Sequence, residues 1–165
     1  MVEVIQGVKA QVGDMPVGIR LCGHELLDDR GGNSLQESIE TFRIAERAGA
    51  DFVSVTIGWH ESSQSVITRD VPMGHWLPIA EAVKKTVNIP VMMAFRQFLP
   101  HIPEKAIASG QIDFCEMCRP MIADPEFPVK AQEGREDEII PCIACNLCFS
   151  RLYYHQPIMC SVRPN

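Results

Sequence analysis

Four short apolar runs, VGIRL (17–21), FVSVTIG (52–58), VMMAF (91–95) and IDFCEMC (112–118), recur along the chain with helical or polar stretches between them. Rich in β-branched and apolar residues, each reads as a buried strand. The segments between them carry helix signals. Ser34-Leu-Gln-Glu37 has the form of a capping box, a hydroxyl followed three residues on by a carboxylate. The helix it opens runs to Arg47 or Ala48 and stops at Gly49. Further helices are predicted over 76–86, 103–109 (stopped by Gly110) and 127–133. Ahead of them all, Val4, Ile5, Val8 and Val12 fall at helical spacing, with Gly13 as a stop. Strand, helix, strand, helix with short connections is the pattern of parallel βα units. The expected class is therefore α/β, of the (β/α)8 barrel type.

Polar residues gather where these strands end. Arg20 lies in the carboxyl half of the first, and Trp59-His60, Phe95-Arg96 and Cys118-Arg119 follow the other three. The carboxyl ends of barrel strands form the active face. One such arginine is ordinarily a solvated surface charge; four polar groups in register at strand ends define a rim. Four βα units make only half of an eight-stranded barrel, which takes about 250 residues. Half a barrel leaves an apolar interior and two strand edges open. Another chain, a two-fold copy or further polypeptide of the same chain would complete it.

The carboxyl-terminal stretch carries a second signal. Cys142, Cys145 and Cys148 recur every third residue, and Cys160 follows. Four thiolates are the usual complement of a [4Fe–4S] cluster. A structural zinc site also takes four ligands, but typically from two separated Cys-x-x-Cys knuckles, whereas here Cys145 belongs to both pairs. The spacing favours the cluster and leaves zinc as the alternative. Cys115 and Cys118 have redox-motif spacing, yet on an extended strand they point to opposite faces and read as core filler. Cys22 sits by a strand end.

Composition narrows the function. The chain has 165 residues, of which 46% are hydrophobic and 22% charged, and a formal charge of −6. That acidity argues against a nucleic-acid surface, which would be basic. No apolar run approaches the roughly 20 residues of a membrane span. Residues 1–9 have neither a basic start nor a sustained apolar stretch, so no secretory signal is expected. Seven cysteines without an export signal suit a reducing cytoplasm.

With VGIRL, IGWHES, RPMIADPEFPVKAQEGREDEI and PCIACNLC…C in hand, the chain resembles the iron–sulfur flavoprotein branch of the old yellow enzyme superfamily. It is similar to the 2,4-dienoyl-CoA reductase group first and to the trimethylamine dehydrogenase group next. The resemblance implies the second half of an FMN barrel over residues 1–135 and a cluster-binding segment over 136–165. It implies Arg20 against the pyrimidine end of the flavin. Arg96 and Arg119 would grip the FMN phosphate, helped by backbone around Ala94, Phe95 and Cys118. His60 would be the catalytic residue that protonates substrate, working beside a tyrosine of the amino-terminal half-barrel. Cys142, Cys145, Cys148 and Cys160 would hold the cluster. The family carries a small or amide residue where Phe95 stands, so a phenylalanine there is expected to crowd the phosphate. FAD and NAD(P)H would belong to a further carboxyl-terminal module. The implied reaction is reduction of an activated carbon–carbon double bond, as in an acyl thioester. The alternatives are an electron-transfer module without a substrate site, a truncated product holding no cofactor, and an amine-oxidising enzyme. Expected partners are the amino-terminal half-barrel, in cis or in trans, or a second copy.

Overall fold

The computed structural model describes residues 1–62, 68–94 and 96–164. Helix α1 (Val2–Val12) precedes strand β1 (Gly18–His24). Then come α2 (Leu35–Arg47), β2 (Phe52–Ile57), α3 (Leu77–Lys84), β3 (Val91–Met93), α4 (His101–Ala108) and β4 (Phe114–Cys115). Three short helices complete the chain: α5 (Arg119–Ala123), α6 (Phe127–Gln132) and α7 (Leu147–Tyr153). The strands form one sheet in the order β1-β2-β3-β4, each neighbouring pair parallel. Consecutive parallel strands joined by returning helices make an arc of a (β/α)8 barrel.

Local sequence explains the best-formed elements. The Ser34 hydroxyl accepts the Glu37 N–H while the Glu37 carboxylate accepts the Ser34 N–H at 2.9 Å, so both halves of the capping box are made. From there Ser38, Ile39, Phe42 and Ala45 bury one stripe of α2. Gly49 then ends the run at φ +98, a conformation that costs glycine nothing. Gly23 matters for a different reason. A Cβ there would come within 2.7 Å of Ile79 and 2.8 Å of Val55, so its bareness lets α3 lie close on the sheet.

The strands alternate between two faces. Val53, Val55, Val91 and Met93 are fully buried against the helices, in a core shared with Phe42, Ala45, Ala80 and Val83. The other face carries a cross-sheet row in register: Arg20 opposite Ser54, Ser54 opposite Met92, Met92 opposite Phe114. Phe114 is 52% exposed, so the described residues leave this face partly open. It corresponds to the barrel interior. Among the described residues, β1 pairs only with β2 and β4 only with β3.

Two expectations need correction. The fourth strand is two residues, not 112–118, because it pairs on one side only and β3 offers just three residues to pair with. The chain then turns into α5, whose Pro120 has the fixed φ suited to a first helical turn. Cys118 therefore caps α5 instead of lying on a strand. The contrast between Cys115, packed against the core, and exposed Cys118 comes from that turn and not from strand alternation. Helix α7 was not anticipated either, and begins at Asn146 inside the cysteine stretch. No helix among the described residues is long and apolar enough to cross a membrane.

Candidate active site

A cavity of about 370 Å³ opens at the carboxyl ends of the strands. Arg20, Arg96, Glu116 and Arg119 line it on the sheet side, and Cys148 and Phe149 on the α7 side. Ala94 and Cys118, both expected at the site, also border it. Its size falls in the range of small-molecule sites. The structure thus brings together three of the four polar groups read at the strand ends.

Arg96 is held tightly. It has a positive φ of 61° just beyond β3, and only 6% of it is exposed. Its Nε donates to the Val71 carbonyl at 2.8 Å and an Nη donates to the Arg69 carbonyl at 3.3 Å. The strained backbone and the two carbonyl anchors fix the direction of the side chain. Arg119 arrives from the start of α5. Both guanidinium groups lie over the Phe98 ring, 5.0 and 5.1 Å from its centre, within cation–π range. Burial, and next the neighbouring Arg119 cation, push the Arg96 pKa down. Two like charges gathered on one ring beside a cavity make a seat for an anion.

Arg20 projects from the middle of β1, with half of its side chain exposed. An Nη lies 3.6 Å from Glu116, whose other carboxylate oxygen accepts the Ser54 hydroxyl at 2.6 Å. Ser54 stands on β2 and Glu116 just past β4, so this bond spans β3. Cys22 lies opposite Thr56 on the same face, and burial raises its thiol pKa.

His60 sits apart. It is exposed on the turn after β2 and does not border the cavity. Its turn is tied down on either side: the Trp59 N–H donates to the Ser62 hydroxyl at 2.7 Å, which donates to the Glu25 carbonyl at 2.8 Å. Phe95 lies outside the described residues.

The cysteine stretch is wound by two residues of positive φ, Ala144 (54°) and Asn146 (59°). Cys142 is half-buried and its sulfur accepts the Ala144 N–H at 3.4 Å. Burial raises its pKa, and Cys148 and Cys160 are near enough to raise it further. The Cys145 thiol pKa is lowered, chiefly by the Ser161 hydroxyl 2.6 Å away. Cys148 borders the main cavity and Cys160 a smaller one beside it. Among the described residues, no three His, Cys, Asp or Glu side chains close into a metal-holding group. Chemically, four thiols are a donor set that a cluster takes. Cys148 and Cys160 lie near enough to act on Cys142, and the loop backbone turns the Ala144 N–H onto the Cys142 sulfur. The cavity fits a phosphate-bearing cofactor through its donors, the Arg96 and Arg119 guanidinium groups gathered on its wall.

Sequence reasoning missed four of these residues. Glu116 carried a usable signal, a charge inside an otherwise apolar run. Ser54, Phe98 and Asn146 carried none, since their roles depend on neighbours distant in the chain.

A parallel barrel arc with an arginine-lined cavity at its carboxyl rim, and Cys148 on the cavity's far wall, is where a barrel enzyme holds its cofactor and substrate. The chain belongs to the NADH:flavin oxidoreductase / NADH oxidase family, whose model matches residues 1–138. That membership implies FMN as the cofactor. It is 37% identical over 166 residues to an NADH oxidase of Thermoanaerobacter brockii, covering 98% of this chain and 25% of that one. It is 35% identical over 162 residues to a metal reductase of Desulforamulus reducens, covering 97% of this chain and 24% of the relative. In structure it is similar to a 2-naphthoyl-CoA reductase in complex with 2-naphthoyl-CoA, with a TM-score of 0.93 and 41% identity. That match covers 99% of this chain and 25% of the other. The chain spans about a quarter of the length of these relatives.

Proposed function

We propose that this chain is the cofactor-bearing part of an FMN- and [4Fe–4S]-dependent reductase acting on an activated carbon–carbon double bond, such as that of a 2,4-dienoyl or enoyl thioester. The observation that carries the reading is a single cavity walled by Arg96 and Arg119 on one side and by Cys148 on the other. A flavin phosphate seat and a cluster loop then share one space, so electrons have a short way between them. The similarity to a naphthoyl-CoA reductase supports an acyl thioester as substrate class.

When bound, FMN supplies hydride and the cluster supplies single electrons, the chemistry that the side chains lack. The residues bind and orient. Arg96 and Arg119 hold the phosphate through their forked donors. Arg20 presents a cation from β1 to the ring. His60, exposed on the turn after β2 and outside the cavity, would give a proton from its imidazole to a substrate that reaches that part of the rim. Cys142, Cys145, Cys148 and Cys160 ligate the cluster. Residues 1–135 form the barrel part and 136–165 the cluster segment, in a cytoplasmic protein completed by an amino-terminal half-barrel or by self-association. FAD and NAD(P)H would be held by a further module and would supply the electrons.

The test is anaerobic purification followed by assay of flavin and iron, then oxidation of the reduced protein by a dienoyl thioester in a single turnover. Bound FMN, about four irons per chain and rapid reoxidation by the thioester are expected. Retention of both cofactors without reoxidation would instead support an electron-transfer module.

A further inference from the structure

Arg119 faces two ways. Its guanidinium lies over Phe98 beside Arg96 on the cavity wall, and one Nη donates to Asn146 Oδ1 at 2.6 Å. Asn146 is not a neutral surface partner. It stands between Cys145 and Cys148, at φ +59, and opens α7. An L residue rarely takes that conformation, although asparagine does so more readily than most. The side chain that meets Arg119 therefore issues from one of the two left-handed residues, Ala144 and Asn146, that wind the cysteine loop, the one lying between Cys145 and Cys148. Asn146 and Arg119 both line the cavity, and they are 27 residues apart in the chain.

We infer that Asn146 is a positioning residue that couples the two cofactor sites, so that an FMN phosphate on Arg119 and iron on the cysteine loop strengthen each other's binding. This rests on the proposed function, which assigns those two ligands to the site. The physical basis is rotamer entropy. An arginine left to itself samples many conformers, and fixing one carries a free-energy cost. Phe98 beneath the guanidinium limits those conformers, and the Asn146 side-chain carbonyl narrows them further before phosphate arrives, but only while the loop holds Asn146 in its left-handed turn. Iron bound by the flanking cysteines locks that turn. By linkage the effect is reciprocal, so phosphate seated on Arg119 also favours the loop conformation that binds iron.

The test compares FMN affinity in the full chain as isolated anaerobically with that of the same protein after chelation of its iron, using riboflavin as a probe without the phosphate. FMN is expected to bind about tenfold more weakly without iron, the scale of one charge-assisted hydrogen bond, while riboflavin changes little. Asn146→Gly keeps a left-handed turn accessible and removes only the amide. It should retain iron yet show the weaker FMN affinity whether or not iron is present. Asn146→Asp keeps an acceptor and should restore the dependence on iron. Equal FMN affinity with and without iron in the unaltered protein overturns the coupling while leaving the proposed function standing. An iron dependence that persists in Asn146→Gly also overturns it, since the link would then run elsewhere. Failure of the unaltered protein to hold FMN or iron at all refutes the functional reading, and the coupling with it.

Discussion

Lys130 Nζ lies 2.7 Å from Asp124 Oδ2, with the two side chains only 10% and 4% exposed. The same carboxylate oxygen accepts the Ile140 N–H at 2.9 Å, and Oδ1 accepts the Glu126 N–H at 3.1 Å. Lys130 also donates to the Glu138 carbonyl at 3.1 Å. One buried ion pair thus ties the end of α5 to the backbone that leads into Cys142, and anchors the cysteine loop against the barrel arc. Lys130→Met would leave Asp124 buried without its cation. The expected loss is about 3–5 kcal/mol of unfolding free energy, read as a lower urea midpoint. An unchanged midpoint would mean that the pair is not part of the folded core.

That pair also gives stability a pH dependence of known sign. The hydrogen bond from Lys130 holds the Asp124 pKa below the ordinary carboxylate range. A depressed folded value contributes stability above the unfolded value of about 3.9, and the contribution is lost as pH falls through the folded value. Urea midpoints should fall on acidification below about pH 4. Asp124→Asn should flatten that slope; an identical slope in the variant would assign it to other carboxylates.

Cluster ligation predicts a selective effect among seven cysteines. Cys145→Ala should abolish the broad visible absorption near 400 nm (roughly where thiolate-bound iron absorbs) and the bound iron. Cys115→Ala should leave both in place, because Cys115 is packed against the core with its thiol pushed up to about 12. Stoichiometric zinc in place of iron would overturn the cluster and show that the same cysteines hold zinc.

The anion seat predicts a preference. FMN should bind more tightly than riboflavin, and Arg96→Ala or Arg119→Ala should remove most of the difference, about tenfold or more for a charged hydrogen bond. His60→Ala, away from the cavity, should leave binding intact and lower turnover alone. If Phe95 crowds the phosphate, as the resemblance implies, Phe95→Gly should improve FMN affinity by letting backbone approach it. Equal binding of FMN and riboflavin in every variant would mean that no phosphate sits on these arginines.

The open face of the sheet predicts association. Phe114 is half exposed there, and the outer edges of β1 and β4 have no partner strand among the described residues. At micromolar concentration the chain should sediment as a dimer or larger species, or bind a half-barrel added in trans. A monomer that unfolds cooperatively with no partner present would falsify this.

Local order was legible because local hydrogen bonds and side-chain periodicity produce it. The Ser34–Glu37 box, the FVSVTIG run and the glycine at the end of α2 each act within a few residues, and each appears where the pattern put it. The convergence of Arg20, Arg96 and Arg119 could also be read, because parallel strands bring their carboxyl ends to one side whatever the details of packing. The cysteine spacing named the candidate ligands, but not how they lie relative to one another. Only the tertiary structure decided that β4 stops at Cys115, since strand length is set by how much of β3 is there to pair with. The bond from Ser54 to Glu116, 62 residues apart, and that from Arg119 to Asn146 depend on sheet register and on the path of the chain after β4. His60 stands outside the cavity for the same reason. A strand end fixes the rim a residue belongs to, whereas the fold of the following turn fixes where on that rim its side chain lies.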